Sequence, residues 1–339
     1  MTGSENPFCP ICAHGADLWC EAQDHHYGNP GNWQVYHCSN CNHLFQYPIP
    51  KEKDLVQFYS ESYYAHQPPE TDFVPRGFRH RGIWLKLYYL KNHRGYHHLA
   101  VSRNPILGWL GWLLNYRTLC FDAPVFQPGG TLLDFGSGSG QAVAFARYLG
   151  WQAEGLEINA KAVKAGRSAG VQVDHGSIDA LENRPCRYEY IMSSHSVEHV
   201  PEVHRLFRAF FYALKPGGIL AVDVPNGNSV AARRFRELYY YLGMPVHVHL
   251  FSPASIRLLS ESTGFVNIAV ATYSRWYTQA ESAILLHLSR QRASASGRFQ
   301  SHDWWEGFLG RMKSIPTFIL SCLRSRGDCL VMTCRKPVL

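Results

Sequence analysis

Short apolar runs alternate with longer segments that have one apolar face along residues 128–272. This alternation is typical of a parallel β-sheet whose strands are connected by helices. The predicted strands are 131–135, 152–156, 171–174, 188–193, 219–224 and 265–272. The predicted helices are 141–149, 160–169, 201–214 and 253–263, and a Lys-Pro-Gly-Gly turn at 215–218 precedes the fifth strand. The pattern therefore predicts an α/β, doubly wound fold.

The segments on either side of this zone differ from it in character. Residues 1–50 are rich in Cys, His, Pro, Gly and Asn, lack helical periodicity, and predict a loop-rich module. Residues 51–127 predict a helical lid or linker. Residues 128–339 predict the core, with an insertion at about 275–327 that contains a break at 290–298 and a helix at 304–323. A final strand is predicted at 329–334.

Composition and charge narrow the class of protein only in part. Of the 339 residues, 46% are apolar and 17% are charged, which favours a folded core over disorder. The net charge of +7 suits anionic partners such as phosphates, nucleic acid or a membrane face, without choosing among them. The longest apolar run, 106–114, is well short of the ~20 residues that span a bilayer. Because no signal segment opens the chain, we expect a cytoplasmic protein, with peripheral membrane association left open.

A glycine-rich loop follows the first predicted strand and opens the first helix of the core. Glycines at 136, 138 and 140 let the backbone turn sharply and approach a ligand, and the helix N-terminus offers free amide donors. Glu157, at the tip of the second strand, is placed to accept both ribose hydroxyls of an adenosine. After the third strand, an amide of Ser177-Ile178 and the Asp179 carboxylate are candidates for the adenine, although Asp179 is equally suited to cap a helix. The loop alone also fits a dinucleotide site or a tight turn.

Four motifs in order resemble the class I S-adenosylmethionine-dependent methyltransferases of the methyltransferase-23 type. They are Leu133-Asp134-Phe135-Gly136-Ser137-Gly138-Ser139-Gly140, Gly155-Leu156-Glu157, His195-Ser196-Val197-Glu198-His199-Val200-Pro201 and Leu214-Lys215-Pro216-Gly217-Gly218. The resemblance implies a Rossmann-like seven-stranded sheet with an antiparallel last strand. It also implies Asp134 near the methionine end of the cofactor and Glu157 on its ribose. The cofactor-binding residues are then Asp134, Phe135, Gly136, Ser137, Gly138, Gly140, Glu157, Ser177, Ile178, Asp179 and Ser194. Ser137 departs from the cysteine that the family often has there.

Histidines and a glutamate follow the fourth strand, where the transferred methyl group is expected. The i, i+3, i+4 spacing of His195, Glu198 and His199 would place them on one face of a helix. His247 and His249 would point the same way if their segment is extended. The catalytic candidates are His195, Glu198, His199 and His249. A histidine could act as general base, or the four could bind a divalent metal that polarises a hydroxyl. The remaining alternative is that these groups only hydrogen-bond nearby loops.

Two further resemblances concern this cluster. A family that methylates the 2′-hydroxyl at RNA 3′ ends has a Glu-x-x-Glu-His motif plus a distant His, but here His195 replaces the first Glu. The His247-x-His249-Leu-Phe-Ser run resembles sugar C-methyltransferases that also have an N-terminal zinc module. These resemblances imply a sugar, glycan or related small-molecule acceptor, with metal-assisted RNA methylation as the alternative. A non-catalytic cofactor-binding scaffold is the rival from another class. A dehydrogenase is disfavoured because Val143 stands where its third glycine would fall.

Two cysteine pairs lie in the N-terminal module. Cys9-Pro-Ile-Cys12 and Cys38-Ser-Asn-Cys41 are separated by 25 residues, a spacing that predicts a tetrahedral zinc site. Because four thiolates leave no open position, this zinc is expected to be structural. The alternatives are an unmetallated redox pair and ligation by His14, His37 or His43 in place of one cysteine. The other six cysteines, Cys120 among them, are scattered and indicate reduced thiols.

Basic and aromatic residues are interleaved at 76–98, and the run at 106–114 is strongly apolar. These stretches predict a helical lid over the cofactor. The alternatives are an interfacial helix that approaches a membrane-bound substrate and a surface that stacks nucleotides.

Overall fold

The computed structural model describes residues 6–25, 28–58, 67–73, 81–115, 124–291, 304–323 and 326–338. Some predicted features lie outside these ranges: Cys120, the basic residues Arg76, Arg79 and His80, and most of the predicted break at 290–298. The strands are β1 (Ala16–Ala22), β2 (Trp33–Cys38), β3 (Leu44–Gln46), β4 (Thr131–Phe135), β5 (Gln152–Glu157), β6 (Val173–His175), β7 (Tyr188–Ser194), β8 (Leu214–Pro225), β9 (His249–Leu250), β10 (Val266–Tyr273) and β11 (Cys329–Arg335).

The predicted helices 141–149, 160–169, 201–214, 253–263 and 304–323 are all present, and the structure adds others. The helices are α1 (Glu52–Leu55), α2 (Arg81–His93), α3 (Pro105–Asn115), α4 (Gln141–Tyr148), α5 (Ala160–Ser168), α6 (Ile178–Glu182), α7 (Val203–Ala213), α8 (Val230–Phe235), α9 (Pro253–Thr263), α10 (Trp276–Gln291) and α11 (Trp304–Leu323). Short 3-10 turns occur at Val56–Phe58, Val197–His199, Arg236–Leu238 and Tyr240–Leu242.

A seven-stranded sheet forms the centre of the molecule, in the order β10-β11-β8-β7-β4-β5-β6. β11 runs antiparallel to both of its neighbours, whereas β4, β5, β6, β7 and β8 are parallel. This is the Rossmann-like methyltransferase fold, and it confirms the predicted α/β class and the antiparallel last strand. The sheet order reverses at β4, and the carboxyl ends of the strands on either side of such a reversal leave a crevice.

The core lies on both faces of this sheet. In α7, Leu206, Phe207 and Phe210 are fully buried, because positions three and four apart share the face that meets the sheet. The ends of α9 follow from its sequence as well. Ser252 forms a capping box with Ser255, and Gly264, with φ 99°, ends the helix in the left-handed region.

Three details differ from the sequence-based expectations. The third strand of the core, β6, begins at Val173 and not at 171. β8 begins earlier than predicted, because Leu214 already pairs with Tyr188. The next pair is Ile219 with Tyr190, so the predicted turn at 215–218 is an irregularity inside β8. The helix α10 was not predicted, because the predictions placed only a break and α11 in the insertion. α10 and α11 come between β10 and β11 in the chain, and they pack against each other.

The N-terminal module shares a sheet with the core. Its four strands are ordered β1-β2-β3-β9, and β9 belongs to the core chain, with Phe45 paired to His249 and Leu44 to Leu250. The Ser252 hydroxyl also donates to the Cys41 carbonyl. The division into domains at residue 50 remains a prediction, but the module is joined to the core by backbone pairing.

The Asp328 carboxylate is buried between α10 and the start of β11. It accepts hydrogen bonds from Thr278 Oγ1 at 3.0 Å and from Gln279 Nε2 at 2.8 Å, and burial raises the pKa of Asp328 to about 7. The folded state therefore favours the protonated carboxyl.

Asp328 is expected to make stability fall as the pH rises. The protonated carboxyl stabilises the fold fully below about pH 4, and this contribution is lost as the pH rises through 7, a change of about 2–3 kcal/mol between pH 5 and 8. Asp328→Asn removes the titration while keeping both polar partners. Urea unfolding at pH 5 and pH 8 should show a smaller loss for this variant than for the unchanged chain. Asp54→Asn, at an exposed position, is the control; equal pH dependence in all three chains would contradict the assignment.

Candidate active site

A cavity of about 760 Å³ opens at the carboxyl ends of the central strands. Its walls come from the glycine loop after β4, the tip of β5, the segment after β6 and the end of β7. The far side is lined by the region that was predicted to be a lid, including Leu55, Pro68, Phe73 and Lys86. The fold thus brings the sequence motifs together at one place.

The glycine loop has a backbone that only glycine adopts readily. Gly136 has φ 72°, Gly138 has φ 55° and Gly140 has φ 87°. A Cβ on Gly136 would lie 2.1 Å from Ser196 Oγ, so the absent side chain also permits the close approach of the loop after β7. The Ser196 hydroxyl donates to the Gly136 carbonyl at 3.2 Å.

Glu157 holds the loop against the tip of β5. Its Oε2 accepts from the Gly138 amide and its Oε1 from the Asn159 amide, both at 2.8 Å. Gly155 completes this contact, since a Cβ there would lie 2.4 Å from Ser137 Oγ. The carboxylate predicted to bind a ribose therefore lies in the cavity wall beside the glycine loop.

Eight of the eleven predicted cofactor residues line the cavity, and three do not. The eight are Asp134, Phe135, Gly136, Ser137, Gly138, Glu157, Ser177 and Ser194. Gly140 packs against Val171 and Val173 instead.

The two residues after Ser177 are also directed away from the cavity. Ile178 is buried in the core, and the Asp179 carboxylate is exposed and ion-paired with Arg205. The predicted adenine contact of Asp179 therefore has no support in the geometry, because its side chain is engaged on the outer surface.

His195 follows the end of β7 in a strained backbone conformation. Its φ is 51°, a left-handed value that non-glycine residues rarely adopt and that is often found at functional sites. The predicted helix face is wrong, because His195 and Ser196 are not helical and only Val197–His199 form a single 3-10 turn. The ring of His195 stacks on Tyr241, and Nδ1 lies 3.3 Å from Glu198 Oε1.

The charge on His195 is set by its buried neighbours. Burial alone lowers the pKa of His195, but Cys329, Glu198 and Asp223 together raise it well above its ordinary value. Burial by itself raises the pKa of Glu198, and the adjacent His195 and His199 hold it below its ordinary value. The two side chains therefore form a buried pair in which each favours the charged form of the other.

His199 is the second histidine in the cavity wall. Burial lowers the pKa of His199, so its ring is neutral near pH 7. Its Nδ1 lies 2.9 Å from the Val246 carbonyl, which can only accept, so Nδ1 carries the proton and Nε2 is the basic nitrogen. His199, Glu198 and His247 each offer a ligand atom within 4.8 Å of the others.

His249 lies in a different place from the other predicted catalytic residues. It is fully buried in β9, with Nδ1 3.1 Å from His43 Nε2 and Nε2 3.4 Å from the Pro201 carbonyl. Burial lowers the pKa of His249 to about 4. His247 turns toward His199, so the two histidines do not point the same way and the expected alternation is wrong. His249 joins the N-terminal module to the core and does not line the cavity.

The four cysteines of the N-terminal pairs converge. The sulfurs of Cys9 and Cys41 are 3.6 Å apart, and Cys12 lies 3.5 Å from both Cys38 and Cys41. Sulfurs bound to one zinc at 2.3 Å would be separated by about 3.8 Å, whereas a disulfide would bring them to about 2 Å. The cluster therefore fits a tetrahedral metal ion and does not fit disulfides.

Some cavity residues had no recognisable signal in the sequence. Lys86 and Phe73 lie in the region 51–127, where only a generic lid could be expected, and Asn159 follows the Glu157 motif. Asn159 also caps α5, accepting from the amides of Lys161 and Ala162. An Asn directly before a helix is a capping signal, which could have placed it at the strand tip.

Residues 115–270 match the family model of a methyltransferase domain. Phosphoethanolamine N-methyltransferase 2 of Caenorhabditis elegans is 24% identical over 187 residues, which cover 52% of this chain and 42% of that protein. The ubiquinone biosynthesis O-methyltransferase of Xanthomonas campestris pv. campestris is 30% identical over 116 residues, or 32% of this chain and 48% of that protein. These alignments span about half the length of the relatives. The matched region of this chain is therefore similar to a methyltransferase domain, as the sequence motifs predict.

A solved structure with a similar arrangement is Haemonchus contortus phosphoethanolamine N-methyltransferase 2, in complex with phosphomonomethylethanolamine and S-adenosylhomocysteine. It has a TM-score of 0.48 and 15% identity, covering 95% of this chain and 69% of that one. A methyltransferase from Archaeoglobus fulgidus has a TM-score of 0.45 and 17% identity, covering 67% and 94%.

Proposed function

We propose that this chain transfers the methyl group of S-adenosylmethionine to a small-molecule acceptor. The acceptor is held between the carboxyl ends of the central strands and the lid. The observation that carries the proposal is the single cavity that joins the glycine loop, Glu157 and two histidines. When bound, S-adenosylmethionine supplies an electrophilic methyl group on a sulfonium. The task of the protein is to hold this group beside an acceptor atom in the correct line and to exclude water.

The loop residues suit the adenosyl and methionine parts of the cofactor. Glu157 presents a carboxylate to two ribose hydroxyls, and Asp134 lies in the wall that continues from the glycine loop toward Ser194. The close backbone approach at Gly136 and Gly138 leaves room for the ligand. Asp179 takes no part in this proposal, because its carboxylate is paired with Arg205 on the outer surface.

The acceptor we favour is an oxygen or carbon atom of a sugar, glycan or related small molecule. The choice rests on the resemblance of the His247-x-His249 segment to sugar C-methyltransferases. The relatives are named for a phosphorylated amine and for ubiquinone biosynthesis, so both belong in the substrate screen. A labelled methyl group followed into nucleotide sugars, glycans, phosphoethanolamine, quinol precursors and RNA would identify the acceptor.

His199 is the general base in this proposal. It lines the cavity, its ring is neutral, and the Val246 carbonyl fixes the tautomer that leaves Nε2 as the proton acceptor. His195 also lines the cavity, but its raised pKa makes it poorly suited to remove a proton. Its contact with Glu198 instead positions that carboxylate next to His199. We therefore assign proton removal to His199 and a positioning role to His195.

A metal-assisted reaction is the second candidate. Glu198 Oε2 is buried without a hydrogen-bond partner among the described residues, and ligand atoms of His199 and His247 lie within 4.8 Å. The ligand set would then be Glu198, His199 and His247, in place of the set with His195 and His249 expected from the sequence. A divalent cation held there would polarise an acceptor hydroxyl, the chemistry required for an RNA 2′-hydroxyl.

We also propose a structural zinc bound by Cys9, Cys12, Cys38 and Cys41. The four converging sulfurs support it, and a closed site supplies folding energy to a module with little core of its own.

Gly136→Ala is expected to weaken S-adenosylmethionine binding by at least about tenfold, roughly 1.4 kcal/mol, measured by calorimetry. The added Cβ would displace Ser196 and distort the loop at φ 72°. Gly170→Ala is the matched control, because its φ is 77° but no atom lies within 4 Å of the added Cβ. Binding of NAD in place of S-adenosylmethionine, or equal affinities in the two variants, would contradict the cofactor assignment.

His199→Ala is expected to lower kcat by roughly 10²–10⁴-fold with little change in cofactor affinity. His249→Ala is the matched control: it should lower thermal stability, because His43 loses its partner, yet keep kcat close to that of the unchanged chain. Equal losses of kcat in both variants would overturn the division of roles.

A chelator test distinguishes the metal-assisted reaction from this one. Loss of activity with a chelator that leaves the cysteine-bound zinc in place, restored by added Mg²⁺ or Mn²⁺, would favour the metal-assisted mechanism.

Metal analysis of the purified chain should find about one zinc per molecule, and Cys41→Ser should lower both the zinc content and Tm. Destabilisation is expected to reach the core, because the Cys41 carbonyl accepts from Ser252. Cys186→Ser, at an exposed position outside the cluster, is the control. A metal-free chain with an unchanged Tm would disprove the zinc site.

A further inference from the structure

The charge of the chain is concentrated in one segment. Residues 73–121 contain eight Lys and Arg and no Asp or Glu. The remainder of the chain has 25 of the 33 basic residues and all 26 acidic residues, so it is close to neutral. The excess of basic residues therefore lies in the segment that contains α2 and α3, and it complements an anionic partner there.

One face of α3 exposes large apolar side chains. Ile106 is 77% exposed, Trp109 is 56% exposed and Leu113 is 45% exposed. Positions separated by three and seven residues lie on the same side of a helix, so these three form one stripe, named here the α3 stripe. Isolated exposed apolar residues are ordinary, but an aligned set of this size on one helix indicates a contact surface.

The opposite face of α3 packs closely against α2. A Cβ on Gly111 would lie 2.2 Å from the Leu85 carbonyl oxygen, and a Cβ on Gly108 would lie 3.1 Å from Asn92 Cβ. The two glycines thus let the helices approach closely, and they fix which face of α3 points outward. The α3 stripe is consequently held in place by packing and does not result from a loosely placed helix.

Basic side chains precede the α3 stripe in the chain. Arg103, His97 and His98 are exposed in the turn between α2 and α3. A helix with an aliphatic and tryptophan face beside basic side chains is the arrangement of segments that lie in a membrane interface. Nucleic acid offers phosphates to cations but little to Ile106 and Leu113, so the observations favour lipid.

We propose that the α2–α3 hairpin docks on an anionic lipid bilayer, with the α3 stripe inserted at the interface. In the part of the chain that the structure describes, every helix is too short or too polar to cross a bilayer, so the contact is peripheral. Lys86 of α2 lies in the cavity wall and over the Phe145 ring at 4.7 Å. Docking would therefore place the cavity close to the lipid, and, if the proposed methyl transfer holds, the acceptor would be lipid-linked.

The test is cosedimentation of the full chain with vesicles. Vesicles of phosphatidylcholine alone are compared with vesicles that also contain phosphatidylglycerol, each at low and at physiological salt. We expect binding to the anionic vesicles that weakens with salt. The triple variant Ile106→Ser, Trp109→Ser, Leu113→Ser should bind at least about tenfold more weakly.

The matched control is Tyr212→Ser, Leu258→Ser, Val266→Ser, which removes three other exposed apolar side chains and should bind vesicles as the unchanged chain does. Calorimetry with S-adenosylmethionine on every variant reports the proposed function separately, since it does not depend on lipid. Failure of the unchanged chain to bind anionic vesicles overturns the docking proposal, as does an equal loss in the two triple variants. Preferential binding of single-stranded RNA, unaffected by the α3 changes, also overturns it.

Discussion

The contact between the glycine loop and the tip of β5 is the constraint on which the site depends. The Gly138 amide donates to Glu157, and the Gly136 amide donates to the Leu156 carbonyl at 2.8 Å. Because β4 pairs with β5 on one side and with β7 on the other, this contact places the loop directly over the reversal of strand order. The segment after β7, with His195 and His199, is then positioned relative to the same loop through Ser196.

Much of the core could be predicted because each of its elements has a local signal. The apolar strands β4 and β7, the capping residues of α9 and the loop glycines all follow from residues near them in the chain. The segments 171–174 and 215–218 differ in detail, since the ends of strands are decided by pairing partners. Parallel pairing with distant residues, as between Tyr188 and Leu214, has no signature in a local pattern.

The positions of the histidines could not be predicted from local sequence patterns. The spacing of His195, Glu198 and His199 suggested one helical face, but the backbone leaves β7 through a left-handed residue and a single 3-10 turn. His247 and His249 looked equivalent along the chain, yet one turns toward His199 and the other toward His43. That difference arises from β9 pairing with β3, a contact between residues about two hundred positions apart. The sequence singled out these histidines as candidates, but it could not show which of them line the cavity and which join the N-terminal module to the core.

The His43–His249 pair allows only one direction of hydrogen bonding. The Pro201 carbonyl can only accept, so a bond from His249 Nε2 requires the proton there and leaves Nδ1 as an acceptor. His43 must then donate from Nε2, and its buried Nδ1, which has no partner among the described residues, stays unprotonated. A second proton on either ring would have no acceptor in this enclosure. The contact between the cysteine module and the α/β core is therefore neutral, and its hydrogen bonds all run in one direction, from His43 through His249 to the loop that follows His199.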